Sequence, residues 1–129
     1  MRIIRKAIVK HVLTNELREE MWNDLESEKE RLEREYEQLR FQMHKQWKTG
    51  ESTRRKEEVK RRFEKELEKR QEKVKQVIFQ QSQLEQLELG SLLTTGKIDI
   101  LEEIQPGDPW PLKEKEVIVK DGKIQEIIE

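Results

Sequence analysis

The sequence predicts an α+β protein, with a long antiparallel coiled-coil helical hairpin inserted between an N-terminal strand and a C-terminal small β-sheet or partial barrel. Three observations predict it. Charged residues make up 43% of the 129 positions and hydrophobic residues 33%, yet the net charge is only −1. Ordinary globular domains carry about a quarter charged residues, and disorder by composition needs a high net charge as well. Long helices, solvated on most faces, are the class that fits. The second observation is a pair of heptad-spaced apolar stripes through the middle of the chain. The third is a clustering of Ile, Val and Leu at the two ends. The expected division is a β domain from 1–14 and 90–129, and a helical hairpin from 15–89 with its tip near 49–52.

Residues 2–13 are apolar without helical spacing. Ile4, Ile8 and Val12 would share one strand face, and Ile3, Ala7, Val9 and Leu13 the other. A strand apolar on both sides predicts burial within a sheet, with Lys and Arg reaching outward. Thr14 or Asn15 then offers a helix N-cap.

From about 15 to 48 there is neither Pro nor Gly. Leu25, Leu32 and Leu39 occupy one heptad position, and Trp22, Tyr36 and Met43 the other, with Lys29 filling a gap. Gly50 supplies a left-handed C-cap, and Ser52 or Thr53 starts a second helix. Its stripe is Phe63, Leu67, Arg70, Val74, Val77, Gln81 and Leu84, with Gly90 as its stop. Folded around one short turn, the two stripes align. Leu25 meets Val77, Leu32 meets Arg70 and Leu39 meets Phe63 at one constant residue-number sum, and Lys29 with Val74 and Tyr36 with Leu67 fall one unit away. Lys29 and Arg70 interrupt the seam, either to set register or because long side chains reach water from a two-helix seam.

After Gly90 the pattern changes. Residues 92–104 alternate Leu and Ile with Thr and Gly, Pro106 to Pro111 form a rigid loop, and Asp121-Gly122 sits between two apolar runs. Asp-Gly in that setting predicts a tight hairpin, because both central residues of the turn need positive φ. These segments and the first strand should form a small mixed or antiparallel sheet.

Val12-Leu13-Thr14, Gln38-Leu39-Arg40-Phe41, Leu87-Glu88-Leu89-Gly90-Ser91, Gly107-Asp108-Pro109-Trp110 and Ile118-Val119-Lys120-Asp121-Gly122 follow one another along the chain. In these motifs and their order the chain resembles the YlqD-like family of uncharacterised bacterial proteins. The likeness covers nearly the whole chain. The resemblance implies the layout above and carries no active-site residues with it.

Several chemistries are set aside. Without cysteine there is no disulfide, thiolate metal site or cysteine nucleophile. His11 and His44 are the two histidines; some 30 helical residues put them roughly 40 Å apart, so they share no metal within one chain. The Glu residues of the first helix lie mainly off its stripe and should be solvated, whereas catalytic carboxylates need a pocket that perturbs them. No Gly-rich phosphate loop is present. The expectation is a non-enzymatic protein with no cofactor, no metal and no small-molecule substrate. Arg5, Lys6 and Lys10 break every N-terminal apolar run, so no signal-peptide core forms. No stretch approaches the ~20 apolar residues of a membrane helix. A cytoplasmic location is expected.

Charge layout is the feature that points to a site. From His44 to Arg62 there are eight basic residues and three acids, a net of +5; from Glu16 to Gln38 there are ten acids and four bases, a net of −6. Lys45, Trp47, Lys48, Arg54, Arg55, Lys56, Lys60, Arg61 and Arg62 are the candidate contact residues for an acidic partner or a nucleic acid. Arg and Lys there could neutralise phosphates, and Trp47 could stack on a base. The competing reading is a solvated turn whose cations pair with Glu one turn away. The functional expectation is an interaction or scaffold protein that uses the coiled-coil arm for protein docking or oligomerisation. The alternative is an RNA- or ribonucleoprotein-associated factor binding through the basic tip. Leu17, Met21, Ile78, Phe79, Leu87 and Leu89 either pack under the β domain or form a self-association surface. A small split sheet buries little by itself, so a homo-oligomer is expected.

Overall fold

The computed structural model describes residues 1–48 and 53–129, apart from the side chains of Lys48 and Thr53. The expected Gly50 cap and Ser52 therefore lie outside the described residues. The elements run β1 (Arg2–Val12), α1 (Asn15–Lys48), α2 (Thr53–Gln86), β2 (Leu92–Glu103), β3 (Glu116–Lys120) and β4 (Lys123–Ile128). They fall into two compact units, Met1–Glu19 with Leu87–Glu129, and Glu20–Gln86.

In the first unit β1 is the organising strand. It pairs antiparallel with β2 from Arg2↔Glu103 to Val12↔Leu92. On its other side it pairs in parallel with β3. β3 and β4 form the expected hairpin, with Asp121 at φ 48° and Gly122 at φ 77°, the two positive angles a type I′ turn requires. The order is β2-β1-β3-β4, a mixed open sheet whose edges are β2 and β4. The expected small sheet is present, and because its two edge strands do not pair it is not a closed barrel.

Reaching β3 from β2 requires the 104–115 connection to pass β1. Arg5 pins that crossing: its guanidinium bonds Glu102 at 2.8 Å and the Lys113 carbonyl at 2.7 Å. Lys115 adds a second cation to Glu102 at 3.2 Å. The Arg5 bond holds the Glu102 carboxyl below the usual Glu range, against an opposing effect of burial, with Lys115 assisting.

The two-sided burial expected of β1 is found only in part: Ile8 and Val12 are half-buried, as Ile3 and Val9 are on the other side. Ala7 and Leu13, on the odd-numbered side, are buried, but Ile4 is 70% exposed. Its side of the ladder also carries Arg2, Lys6, Asp99 and Glu103, and Lys6 pairs with Asp99 at 2.5 Å. That end of the face is exposed and ion-paired. Ala7, Leu13 and Ile118 are the buried apolar residues of this unit.

Thr14 caps α1. Its hydroxyl accepts the Leu17 N–H at 3.2 Å, its carbonyl accepts the Arg18 N–H at 3.0 Å, and it donates to Asp121 at 2.7 Å. The second helix stops at Gln86, four residues before Gly90. Gly90 instead serves a turn at φ 89°. Its N–H bonds the Leu13 carbonyl at 2.8 Å and Leu13 N–H bonds Ser91. Strand pairing at the start of β2 thus takes over the backbone groups that a longer helix would have used.

The second unit is a helical hairpin, α1 and α2 having 34 residues each. Leu32, Leu67, Val77, Gln81 and Leu84 are buried, and the rest of the α2 stripe (Phe63, Arg70 and Val74) is half-buried. Contacts between the helices run antiparallel. Gln81 reaches Glu26 at 2.9 Å and the Trp22 carbonyl at 3.5 Å, Gln71 reaches Tyr36 Oη at 3.1 Å, and Arg70 lies 3.5 Å from Glu35. The two seam cations stay half-buried and find carboxylates, Lys29 on Glu26 and Arg70 on Glu66 and Glu35. Ile78 and Phe79 remain 50% and 62% exposed.

Candidate interface at the basic end of the helix pair

The candidate residues come from the last turns of α1 and the first turns of α2. Lys45, Arg54, Arg55, Lys60, Arg61 and Arg62 are exposed, Lys56 is half-buried and Trp47 is 43% exposed. The Lys48 side chain lies outside the described residues. Lys45 and Arg55 are each engaged in a contact.

Trp47 organises part of the cluster. The ammonium groups of Lys56 and Lys60 lie 5.5 and 5.7 Å from its ring centroid. Residues four apart share a helix face, so one side of α2 presents both cations to the indole. A ring face holds a cation by its quadrupole, more strongly for Trp than for other aromatics. The contact joins the helices and takes up ring surface that a stacked base would need. Lys60 also lies 3.8 Å from Glu64.

Arg54, Arg61 and Arg62 are different. Among the described residues they make no ion pair, although Glu57 and Glu58 stand within one turn of them. Arg54 and Arg61 are seven apart and lie on the same side of α2, with Arg62 next to them. Each guanidinium offers a planar fork of donors suited to a carboxylate or phosphate.

Beside Arg62, and on the side of α2 away from Arg54 and Arg61, is a shallow groove of about 240 Å³ between the helices, lined by Leu39, Gln46, Val59, Arg62, Phe63 and Glu66. Leu39, Val59 and Phe63 are its apolar lining, and Arg62 and Glu66, the latter engaged by Arg70 and Lys69, its charged lining. Leu39 and Phe63 were legible as stripe positions. Val59 was missed, although it lies four residues before Phe63 and so on the same face.

Away from this end several cations are neutralised in place, while Arg34, Arg40, Lys65 and Lys73 make no ion pair among the described residues. Arg31 pairs with Glu35 at 2.7 Å, Lys69 with Glu66 at 3.2 Å and Lys75 with Glu72 at 3.4 Å. Bonds from Arg70 and then Lys69 hold Glu66 below the usual Glu range. His11 meets the Thr95 hydroxyl at 2.6 Å, and His44 is exposed. Among the described residues no group of three or more His, Asp or Glu could hold a metal ion. No described helix is long and apolar enough to cross a membrane.

Comparison with known proteins places the chain. A solved crystal structure of a protein of unknown function from Synechococcus sp. WH 8102 has the same fold, with a TM-score of 0.78 and 21% identity over 100% of this chain and 95% of that one. The uncharacterised protein YlqD of Bacillus subtilis (strain 168) is 36% identical over 129 residues, covering 98% of each chain. The family model described as YlqD protein matches residues 1–128. The chain belongs to the YlqD family.

Proposed function

We propose that this protein is a non-enzymatic docking protein, in which the helical hairpin is an antiparallel coiled coil that receives an acidic protein surface at its basic end. The observation that carries the reading is Arg62, which makes no ion pair among the described residues, at the edge of a groove lined by Leu39, Val59 and Phe63, with the positive charge of Arg54 and Arg61 close by on α2. Protein interfaces draw their affinity from apolar anchors seated in pockets and ringed by polar contacts, with Arg over-represented among the strong ones. A carboxylate that pairs with the arginines while an apolar side chain enters the groove would use both features. Nucleic acid would use only the charge, and Lys56 and Lys60 already compete for the Trp47 ring. The heptad spacing of the buried α2 residues supports the coiled coil.

The test is a pull-down from native lysate, with and without nuclease, comparing wild type with an Arg54→Glu, Arg61→Glu, Arg62→Glu variant. Protein partners held by wild type, indifferent to nuclease and lost in the variant are expected. The same proteins retained by the variant would remove the basic end as the docking site. Retention that collapses on nuclease treatment would make the partner a ribonucleoprotein.

A further inference from the structure

We infer that the outer edge of β2 is a self-association surface, on which a second copy of this chain adds its own β2 antiparallel about a two-fold axis through Ile98. This inference is independent of the hairpin reading above.

The sheet has two open edges, and they are unequal. β4 is six residues long, and a register break between Ile118 and Val119 leaves Gln125 as the extra residue in its middle. Such a bulge twists an edge and blunts it against further pairing. The β2 ladder breaks only near Thr95, between Val9 and Lys10 of β1, and from Lys97 to Glu103 its register runs unbroken. Pairing on β2 is confined to its β1 side. Large apolar side chains sit exposed along it, Ile98 at 44% and Leu101 at 72%. A long, regular, partly apolar edge is what a further strand adds to.

Charge selects the occupant and the register. When two copies of one strand pair antiparallel in a continuous sheet, facing residues share a sheet face, so a residue and not a peptide bond lies on the axis. With Lys97 on the axis two ammonium groups face each other. With Asp99 there, two carboxylates do. An axis through Leu101 opposes Asp99 to Glu103. An axis through Ile100 sets Ile98 against Glu102, whose carboxylate is held by Arg5 and Lys115. An axis through Ile98 opposes Lys97 to Asp99 of the second copy, and Asp99 to Lys97, while Ile98 meets itself. Ile98 already pairs with Ala7, and Asp99 with Lys6. The dimer would extend the aliphatic strip on one face and complete a Lys6–Asp99–Lys97 row of alternating sign on the other. The surface is self-complementary, as a two-fold interface must be.

The experiment is analytical ultracentrifugation of the full chain over a dilution series, with circular dichroism to verify folding of each variant. Wild type should show twice the chain mass, falling on dilution. Lys97→Asp and Asp99→Lys should each weaken association by about tenfold, since each replaces two attractive cross-strand pairs by repulsive ones. The double variant, with complementarity reversed, should recover it. Ile98→Lys should give a monomer, and Ile127→Lys on β4 should not. A wild type that stays monomeric at every concentration overturns the inference. So does association that ignores the β2 variants, is abolished by Ile127→Lys, or fails to recover in the double charge reversal.

Discussion

Gln81 donates its side-chain amide to the Glu26 carboxylate at 2.9 Å across the helix pair. Gln81 is 7% exposed, and a buried amide without a partner is costly. This bond is the largest influence holding the Glu26 carboxyl below its usual range, ahead of the bond from Lys29. A Gln81→Leu variant keeps the seam filled and removes the donor. The Glu26 carboxyl should then titrate at higher pH than in wild type, as read by NMR of side-chain carboxyl carbons. An unchanged titration would mean that Gln81 does not govern Glu26.

Glu26, Glu66 and Glu102 all have lowered values in the folded chain. A group whose folded value lies below its unfolded one contributes stability in full above the unfolded value, roughly 4.3 for Glu, and loses it as pH falls through the folded value. Thermal unfolding should therefore be insensitive to pH on the neutral side of the carboxylate range and move to lower temperature on the acid side. The Gln81→Leu variant should show a shallower acid-side decline. A steeper decline would reverse the sign of the Glu26 contribution.

Leu32 is 1% exposed at the centre of α1. Leu32→Ala should cost about 2–5 kcal/mol, the range for emptying a closed leucine site, measured by urea unfolding. A loss below ~1 kcal/mol would mean that the two helices close over the gap.

Arg70 tests the seam differently. Its Nε is buried and makes no hydrogen bond, the approach to Glu35 at 3.5 Å being a charge contact. Replacing Arg70 alone leaves Glu35 and Glu66, which are half-buried and can turn to water, while an apolar chain of similar length keeps the seam filled. Arg70→Met should melt close to the wild-type temperature, the packing offsetting the lost Glu66 bond, whereas Arg70→Ala should melt clearly below both. A marked drop for Arg70→Met would assign the guanidinium a role in register.

Gly122 has φ 77°, where a Cβ costs roughly 1–2 kcal/mol. Gly122→Ala should destabilise the first unit by about that amount, and hydrogen exchange should rise along β3 and β4. Unchanged exchange would show that the turn does not hold the hairpin.

Much of this was readable before the structure because it is local. Thr14 as cap, Asp121-Gly122 as turn and the Phe63-to-Leu84 stripe each follow from spacing along one segment. What could not be read depends on which segments are neighbours. Periodicity does not say that β3 lies beside β1 in parallel, nor that Arg5 would meet Glu102 and Lys113 from the far end of the chain. It made Ile4 look buried because the ion pairing on its face is set by β2. It placed the end of α2 at Gly90 because it could not foresee that the Leu13 carbonyl would claim the Gly90 N–H. At the basic end, the run of cations was visible. Which of them are spoken for depends on the rotation of one helix against the other, which sets Lys56 and Lys60 on Trp47; Arg54, Arg61 and Arg62 make no ion pair among the described residues.

Val12 pairs with Leu92, and the helices occupy the chain between them. Topologically β1 and β2 are one β-hairpin whose loop has been replaced by two helices. For a flexible loop of that length, closure costs roughly 2–3 kcal/mol more than a tight turn, and it must be met before β1 and β2 pair. Once the helices pair, the ends of the insert are held together and the strands see a short connection. Pairing of the helices would thus shorten the loop that β1–β2 pairing has to close. Removing or adding whole heptads from both helices in register should leave the β1–β2 ladder unchanged, whereas weakening their pairing should slow its formation before lowering its final stability.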